Sequence, residues 1–269
     1  MKKLMFPALI IGLIFASCSK DNSTPTPTTS GGGGGGGTPS GTFLIYKDSV
    51  YNSSNANDTR VRTFEYNSSK KVEKIYYRWG TISTNTHYDT VYYNTNNKVS
   101  KVEQYIIGNP TVQESKTYTY NGSNQLISVV EVGTNDNGPY TRTRTFTYLN
   151  NKVNSQILVY SSGSSNSNGG PDDLSNIVFT GNNITSLDLT GYGNATATYD
   201  TYANPYYGHN VETDDFTLMF CQNNLMSAYL TASPTTVFVN RAFTYSNGRL
   251  ATIFDSSENR TTYITYQEY

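Results

Sequence analysis

Arg62-Thr63-Phe64-Glu65-Tyr66-Asn67-Ser68-Ser69-Lys70-Lys71-Val72-Glu73-Lys74-Ile75 carries the pattern that decides the fold. An aromatic residue, one spacer and a second aromatic lead into a polar turn. A branched aliphatic residue follows, and a second one comes three positions later. The same unit returns as Val91-x-Tyr93…Val99-x-x-Val102, Tyr118-x-Tyr120…Leu126-x-x-Val129 and Phe146-x-Tyr148…Val153. It continues as Ile177-x-Phe179…Ile184-x-x-Leu187, Leu218-x-Phe220…Leu225 and Phe243-x-Tyr245…Leu250-x-x-Ile253. The step from second aromatic to aliphatic is six residues in the first three copies and five in the last four. Self-similarity of this kind marks a fold built from one repeated supersecondary unit.

Each unit reads as a β-hairpin. The turns, such as 94–98, 121–125, 149–152, 180–183, 221–224 and 246–249, are rich in Asn and Gly, which tolerate positive φ. The three-residue aliphatic step breaks strict alternation and predicts a bulge just after each turn. A leading strand over 42–51 and a closing strand over Thr261 to Tyr269 bring the total to about 16. The expected fold is therefore all-β, an antiparallel meander of repeated hairpins forming a curled sheet or a barrel, with no helix.

Strand periodicity also separates two faces. In Arg62-x-Phe64-x-Tyr66, Lys116-x-Tyr118-x-Tyr120, Arg144-x-Phe146-x-Tyr148 and Arg241-x-Phe243-x-Tyr245, one face is basic and aromatic, and the intervening positions are mostly Thr. Side chains alternate across a strand, so the rings are expected inside and the Thr face in water. A lipid-facing barrel needs an outward apolar band, which a Thr face does not supply. Sixteen strands in a closed circular barrel would also enclose a lumen wider than side chains fill; a flattened or open sheet avoids that void.

Composition agrees. Of 269 residues, 24 are Tyr and 14% are charged. A chain so aromatic and so poor in charge is neither disordered nor a helical bundle. Removing residues 1–17 deletes Lys2 and Lys3 and leaves 17 basic against 20 acidic residues. That balance, without Lys/Arg clustering, argues against a nucleic-acid partner.

The first residues read as an address. Met1-Lys2-Lys3 is basic, and Leu4 to Phe15 is an apolar run of 12 residues, too short to span a bilayer as a helix. Phe15-Ala16-Ser17-Cys18 resembles the lipobox of bacterial lipoproteins, in which the signal is cut before the Cys and that Cys carries the lipid. Phe15 stands where Leu is usual. Residues 1–17 are thus the expected signal peptide and Cys18 the lipidation site, which makes outer-membrane lipid a partner. Several acyl chains, at about 0.8 kcal/mol per buried CH₂, anchor a domain without any spanning segment. Ser19-Lys20-Asp21-Asn22 is similar to the surface-export signals of Bacteroidota lipoproteins, implying the cell surface rather than the periplasmic face. Residues 18–42, with Thr-Pro repeats and Gly31 to Gly37, form a flexible tether. Residues 43–269 make one domain.

The repeat resembles the YD-type repeat of RHS-like shell proteins. Together with the lipoprotein start it is similar to an uncharacterised Bacteroidota lipoprotein family with a porin-like fold. Tyr199-Asp200…Asn204-Pro205 resembles the Tyr-Asp…Asn-Pro segment of that family. The resemblance implies a curled antiparallel sheet or barrel and implies no activity.

Chemistry-bearing patterns are sparse. Cys221 is the one Cys left to the domain, and His87 and His209 are the only His, so nucleophilic catalysis lacks its parts. No zinc spacing or Gly-x-Ser-x-Gly elbow occurs, and Asn135-Asp136-Asn137-Gly138 reads as a turn rather than a calcium loop. No cofactor is implied. Acids that could support glycoside hydrolysis are Asp172, Asp173, Asp200, Asp214, Asp215, Glu65, Glu103 and Glu131, with no signature joining any two. Aromatic platforms are better candidates for ligand contact: Tyr76, Tyr77 and Trp79 beside Arg78, and Tyr206 and Tyr207 beside Pro205. Asp48-Ser49-Val50 and Asp89-Thr90-Val91 resemble the Bacteroidota O-glycosylation motif, with Ser49 and Thr90 as acceptors. The function expected is a non-catalytic binding or structural module of the envelope, with a glycan or protein ligand. A glycan-acting hydrolase is the alternative, and an outer-membrane pore a more distant one.

Overall fold

The computed structural model describes residues 43–135, 138–160, 173–207 and 221–269. The expected signal peptide (1–17), Cys18, the expected tether (to 42), Asp172, His209, Asp214, Asp215, Leu218 and Phe220 lie outside the described residues.

Sixteen strands run in chain order: β1 (Phe43–Asn52), β2 (Arg60–Tyr66), β3 (Val72–Trp79), β4 (His87–Tyr93), β5 (Val99–Ile106), β6 (Val112–Tyr120), β7 (Leu126–Asn135) and β8 (Gly138–Leu149), then β9 (Lys152–Tyr160), β10 (Leu174–Thr180), β11 (Asn183–Leu189), β12 (Gly193–Ala203), β13 (Asn223–Leu230), β14 (Ser233–Ser246), β15 (Arg249–Asp255) and β16 (Arg260–Glu268). Every strand pairs with its sequence neighbour, and β1 pairs antiparallel with β16 from Phe43↔Glu268 to Asn52↔Arg260, closing the barrel. The curled sheet and the barrel were both open from sequence; the closed form is the one observed. One 3-10 turn, Ala56–Asp58, is the only helical segment among the described residues.

The repeat has a structural cause at each position. Asn67, Asn94 and Asn121 open five-residue turns, and each side-chain oxygen accepts from two backbone N–H groups across its turn. The fourth turn residue is left-handed: Lys70, Asn97 and Asn124, with φ of 60°, 61° and 60°. Where the step shortens to five, the turn tightens to a two-residue loop. There Asn150 and Asn151, or Asn247 and Gly248, both take positive φ, as a type I′ turn requires. The predicted bulges lie where the aliphatic step placed them: Glu65↔Lys74 is followed by Tyr66↔Val72, and the same shift recurs at Tyr93, Tyr120, Tyr148 and Tyr245.

The second aromatic closes each unit on the previous one. Tyr66, Tyr93, Tyr120 and Tyr148 donate their hydroxyls to the carbonyls of Ile45, Val72, Val99 and Leu126 at 2.8–2.9 Å. Tyr266 does the same to Leu250 at 2.9 Å. Burial holds the phenols of Tyr66, Tyr93 and Tyr266 well above the usual tyrosine range. Each such bond satisfies a carbonyl at the start of a strand and contributes about 1 kcal/mol net.

The rings do face inward. Phe64, Tyr118 and Phe146 are buried together with Val72, Ile75, Val99, Leu126, Val153, Ile184 and Leu250, in one hydrophobic cluster that draws on nearly every strand. Thr117, Thr119, Thr145, Thr147 and Thr244 face out and are exposed.

One hairpin departs from expectation. The strand paired ahead of Leu225 is not Leu218-x-Phe220. It is β12, with Tyr199↔Leu225 taking the place that Tyr66↔Val72 holds in the first unit. Residues 204–222 therefore form an insertion in this hairpin's turn. Its two ends are tied together: Asn204 N–H donates to Gln222 O at 2.9 Å, and Asn204 Nδ2 to Cys221 O at 2.9 Å. Asn204, Tyr206 and Cys221 are buried, so the described ends of the insertion, 204–207 and 221–222, turn towards the barrel interior.

Candidate functional site

Above the aromatic layers the interior positions become charged. Asp48 on β1 and Arg62 on β2 face each other in register, and both are essentially inaccessible. Arg62 Nε donates to Asp48 Oδ1 at 2.8 Å, and a second guanidinium nitrogen donates to Oδ2. Burial alone would lower the Arg62 guanidinium, but Asp48 more than reverses this and raises it. Tyr206, carried in by the insertion, donates its hydroxyl to Asp48 Oδ2 at 3.1 Å across 158 residues of chain. Arg60 is pushed down to about 10 by burial and by the neighbouring Arg62.

The charged layer continues around the barrel. Asp89 on β4 accepts from Tyr77 Oη at 2.6 Å and from Gln104 Nε2 at 3.3 Å; burial raises its carboxyl to about 6. Glu131 on β7 pairs with Arg142, while Lys116 bridges Glu114 at 3.2 Å and Glu131 at 3.8 Å. Burial would raise the Glu131 carboxyl, but Lys116, Arg142 and Arg144 outweigh burial and hold it below the ordinary range. Tyr140 Oη lies 2.8 Å from a Glu114 oxygen and 2.9 Å from a Glu131 oxygen, so its one proton can go to either carboxylate. Its ring lies over Gly133, where an added Cβ would come within 2.9 Å of the phenol oxygen, so the glycine makes room for the bridge. Arg241 Nε donates to Asp255 at 2.9 Å. These ion pairs join adjacent strands and line the interior with paired charge.

The outer wall offers two aromatic features. Tyr76, Tyr88 and Tyr105 form a cross-strand ladder on β3, β4 and β5, with ring centroids 6.0 and 5.1 Å apart. Tyr88 and Tyr105 stack on each other, so their facing surfaces are taken. Tyr92 and Tyr105 both donate to Glu103, and Lys101 lies over the Tyr92 ring at 4.5 Å. The second feature is a shallow hollow of about 580 Å³ on the β1–β16 seam, lined by Lys47, Ser49, Tyr51, Thr261, Tyr263 and Thr265. Tyr51 and Tyr263 meet edge to face there, centroids 5.7 Å apart at 77°. The hollow exists because Ser49 is small and sits between larger outward neighbours.

The structure divides the sequence-derived candidates. Tyr76 is on the outer wall, but Tyr77 and Trp79 face inward, stacked on each other at 5.4 Å, with His87 edge-on to Trp79 at 4.7 Å. Tyr206 is buried in the ion-paired layer, and Tyr207 is half-buried in the turn. Tyr77 and Tyr206 thus serve the interior as placed. Ser49 is 4% exposed and paired on both sides, whereas Thr90 is half-buried on the outer wall. Among the candidate acids, Glu65 faces out and accepts from Tyr76 at 3.3 Å, Glu103 bonds Tyr92, Tyr105 and Lys101, and Glu131 is buried in its ion pairs. Asp200 binds the Asn224 N–H at 3.0 Å and accepts from Tyr245, and Asp173 accepts from Leu158 N–H at 2.9 Å. Among the described residues no group of three or more His, Cys, Asp or Glu could hold a metal. The sequence reading missed Tyr88, Tyr105, Tyr51 and Tyr263. Their positions at outward registers of paired strands were the available signal.

No protein-family model matches the sequence, and no curated protein matches it. Among solved structures, a porin-like protein from Bacteroides uniformis is similar with a TM-score of 0.52 at 17% identity, over 83% of this chain and 98% of that one. A porin-like protein from Bacteroides vulgatus covers 84% of this chain and 99% of its own at 9% identity, with a TM-score of 0.39. The first likeness is one of fold.

Proposed function

We propose that this protein is a non-catalytic module of the cell envelope. Cys18 carries the lipid, the tether holds the barrel in water on the outer-membrane surface, and the barrel wall binds a glycan or a protein of the envelope. The observation that carries this reading is the outer wall itself. It presents Thr117, Thr119, Thr145 and Thr147 together with Glu65, Lys74, Lys101 and Glu103 at mid-strand outward positions. A Lys at the bilayer midplane costs about 2–4 kcal/mol on such a wall. The interior adds support, since buried rings, ion pairs and Tyr206 project into it. The hydrolase reading is weaker, because the described candidate acids are engaged in ion pairs or hydrogen bonds within the wall and interior.

The test is the full chain with Cys18→Ala. It is expected to be freely soluble and to give no conductance steps in a planar bilayer; detergent dependence with channel steps would overturn the reading. A binding screen of the same protein against envelope glycans and envelope extracts then identifies the ligand. Intact mass of the native protein checks Ser49 and Thr90 for added sugar.

A further inference from the structure

The hollow on the β1–β16 seam brings exposed aromatic rings, hydroxyls and a cation together on a concave surface. Its size falls within the range of small-molecule sites, about 300–1,000 Å³. Three properties fix the chemistry it suits. Tyr51 and Tyr263 are 44% and 50% exposed, and their edge-to-face packing leaves a ring face open. A flat ring against a patch of C–H groups is how aromatic side chains hold the apolar face of a pyranose. Thr261 supplies a hydroxyl that can donate and accept, and Thr265, whose proton goes to the Lys47 carbonyl at 3.3 Å, keeps lone pairs to accept from a sugar hydroxyl, while Ser49 forms the floor. Lys47 lies on the lining, and among the described residues no carboxylate is placed within ion-pair distance of it. Asp48, next in sequence, points inward and is held by Arg62 and Tyr206. The cation is therefore left to the ligand.

We infer that this hollow binds an acidic pyranose, a hexuronic acid or similar carboxylate-bearing sugar, with the sugar ring against the Tyr51–Tyr263 corner and its carboxylate at Lys47. The position has a fold-level reason. The seam is where the first and last strands meet, so its outward residues come from outside the repeat units and are not bound by the repeat's Thr pattern. The proposal rests on the reading that the outer wall is in water, and the two fail differently. Channel activity overturns that reading, whereas a soluble barrel indifferent to acidic sugars overturns the hollow alone.

The experiment titrates the full-length protein with methyl β-glucuronide and with methyl β-glucoside, using saturation-transfer NMR and protein amide shifts. The uronide is expected to bind more tightly, by roughly three- to five-fold, the ratio an exposed ion pair supports, with shifts centred on β1 and β16. Lys47→Gln is expected to erase that preference and retain the weaker neutral binding. Tyr263→Ala is expected to abolish both, and Tyr88→Ala, on the distant ladder, to change neither. Equal binding of the two sugars, no binding of either, or shifts centred elsewhere would overturn the proposal. So would a native protein already carrying sugar on Ser49, because the hollow would then be filled by its own chain. If Tyr263→Ala fails to fold, Lys47→Gln still decides, since it removes only an outward charge.

Discussion

The stretch from β2 to β9 and the stretch from β10 to β13 solve the same closure problem in opposite ways. The first is locally written. Each hairpin has its Asn turn, its bulge and a tyrosine bonded to a carbonyl 21 or 22 residues back. The second is irregular. β10 is joined to β9 through Leu174↔Gln156 and slips register twice against β11, and β12 slips twice against β13. What ties this region to the far wall is a long-range bond, Tyr206 to Asp48. A barrel can evidently tolerate a weakly patterned arc if the interior supplies a crosspiece. The Tyr-Asp…Asn-Pro segment builds it: Tyr199 accepts from Cys221 Sγ at 3.3 Å, Asp200 anchors Asn224, and Asn204 shapes the turn that delivers Tyr206.

The sharpest way to break the comparison is at the crosspiece. Arg62→Met leaves Asp48 buried without its cation and is expected to cost about 3–5 kcal/mol. Urea unfolding measures it, and hydrogen exchange should show β10 to β13 opening before β5 to β8. Next is Asp89. Its folded carboxyl lies near 6, above an ordinary value of 3.8, so the folded state holds the proton more tightly than the unfolded chain does. Its contribution is fully present below about 4 and is lost as pH rises through about 6. The shift corresponds to roughly 3 kcal/mol. Asp89→Asn is expected to flatten stability across that window and to gain stability at pH 7, read from melting temperatures at pH 4 and pH 7.

Smaller effects sharpen the contrast. Tyr120→Phe should cost about 1 kcal/mol and leave exchange elsewhere unchanged. Tyr206→Phe should cost a similar amount but raise exchange at both β1 and β12, because its bond spans the barrel. Asn124 is left-handed with φ of 60°. Asn124→Gly should change stability by only a few tenths of a kcal/mol, whereas Asn124→Val should cost about 1–2 kcal/mol.

Much of the regular arc was legible because its causes are local. Turn residues, the bulge after each turn and the inward Phe64, Tyr118 and Phe146 all follow from spacing within 14 residues of sequence. The split of Tyr76 from Tyr77 was legible too, since neighbours on a strand point to opposite faces, although grouping them as one platform hid it. Leu218-x-Phe220 misled because it copies the repeat's spacing; only the pairing of Tyr199 with Leu225 shows which residues hold that place. Closure, the ion-paired layer and the seam hollow were not legible. Asp48–Arg62 and Glu131–Arg142 depend on which strands become neighbours and in what register, and the Tyr51–Tyr263 corner joins residues 212 positions apart.

The pairing of Phe43 with Glu268 sets the two ends of the domain side by side on the rim of Asn-rich turns. The ring of strands therefore has no privileged starting point. Joining residue 268 to residue 43 by a short linker and opening the chain at the exposed 107–111 loop on the opposite rim should yield a circular permutant with the same barrel. In the natural order, by contrast, the ring cannot shut until β16 has left the ribosome, because β1 waits for its partner across the whole length of the barrel.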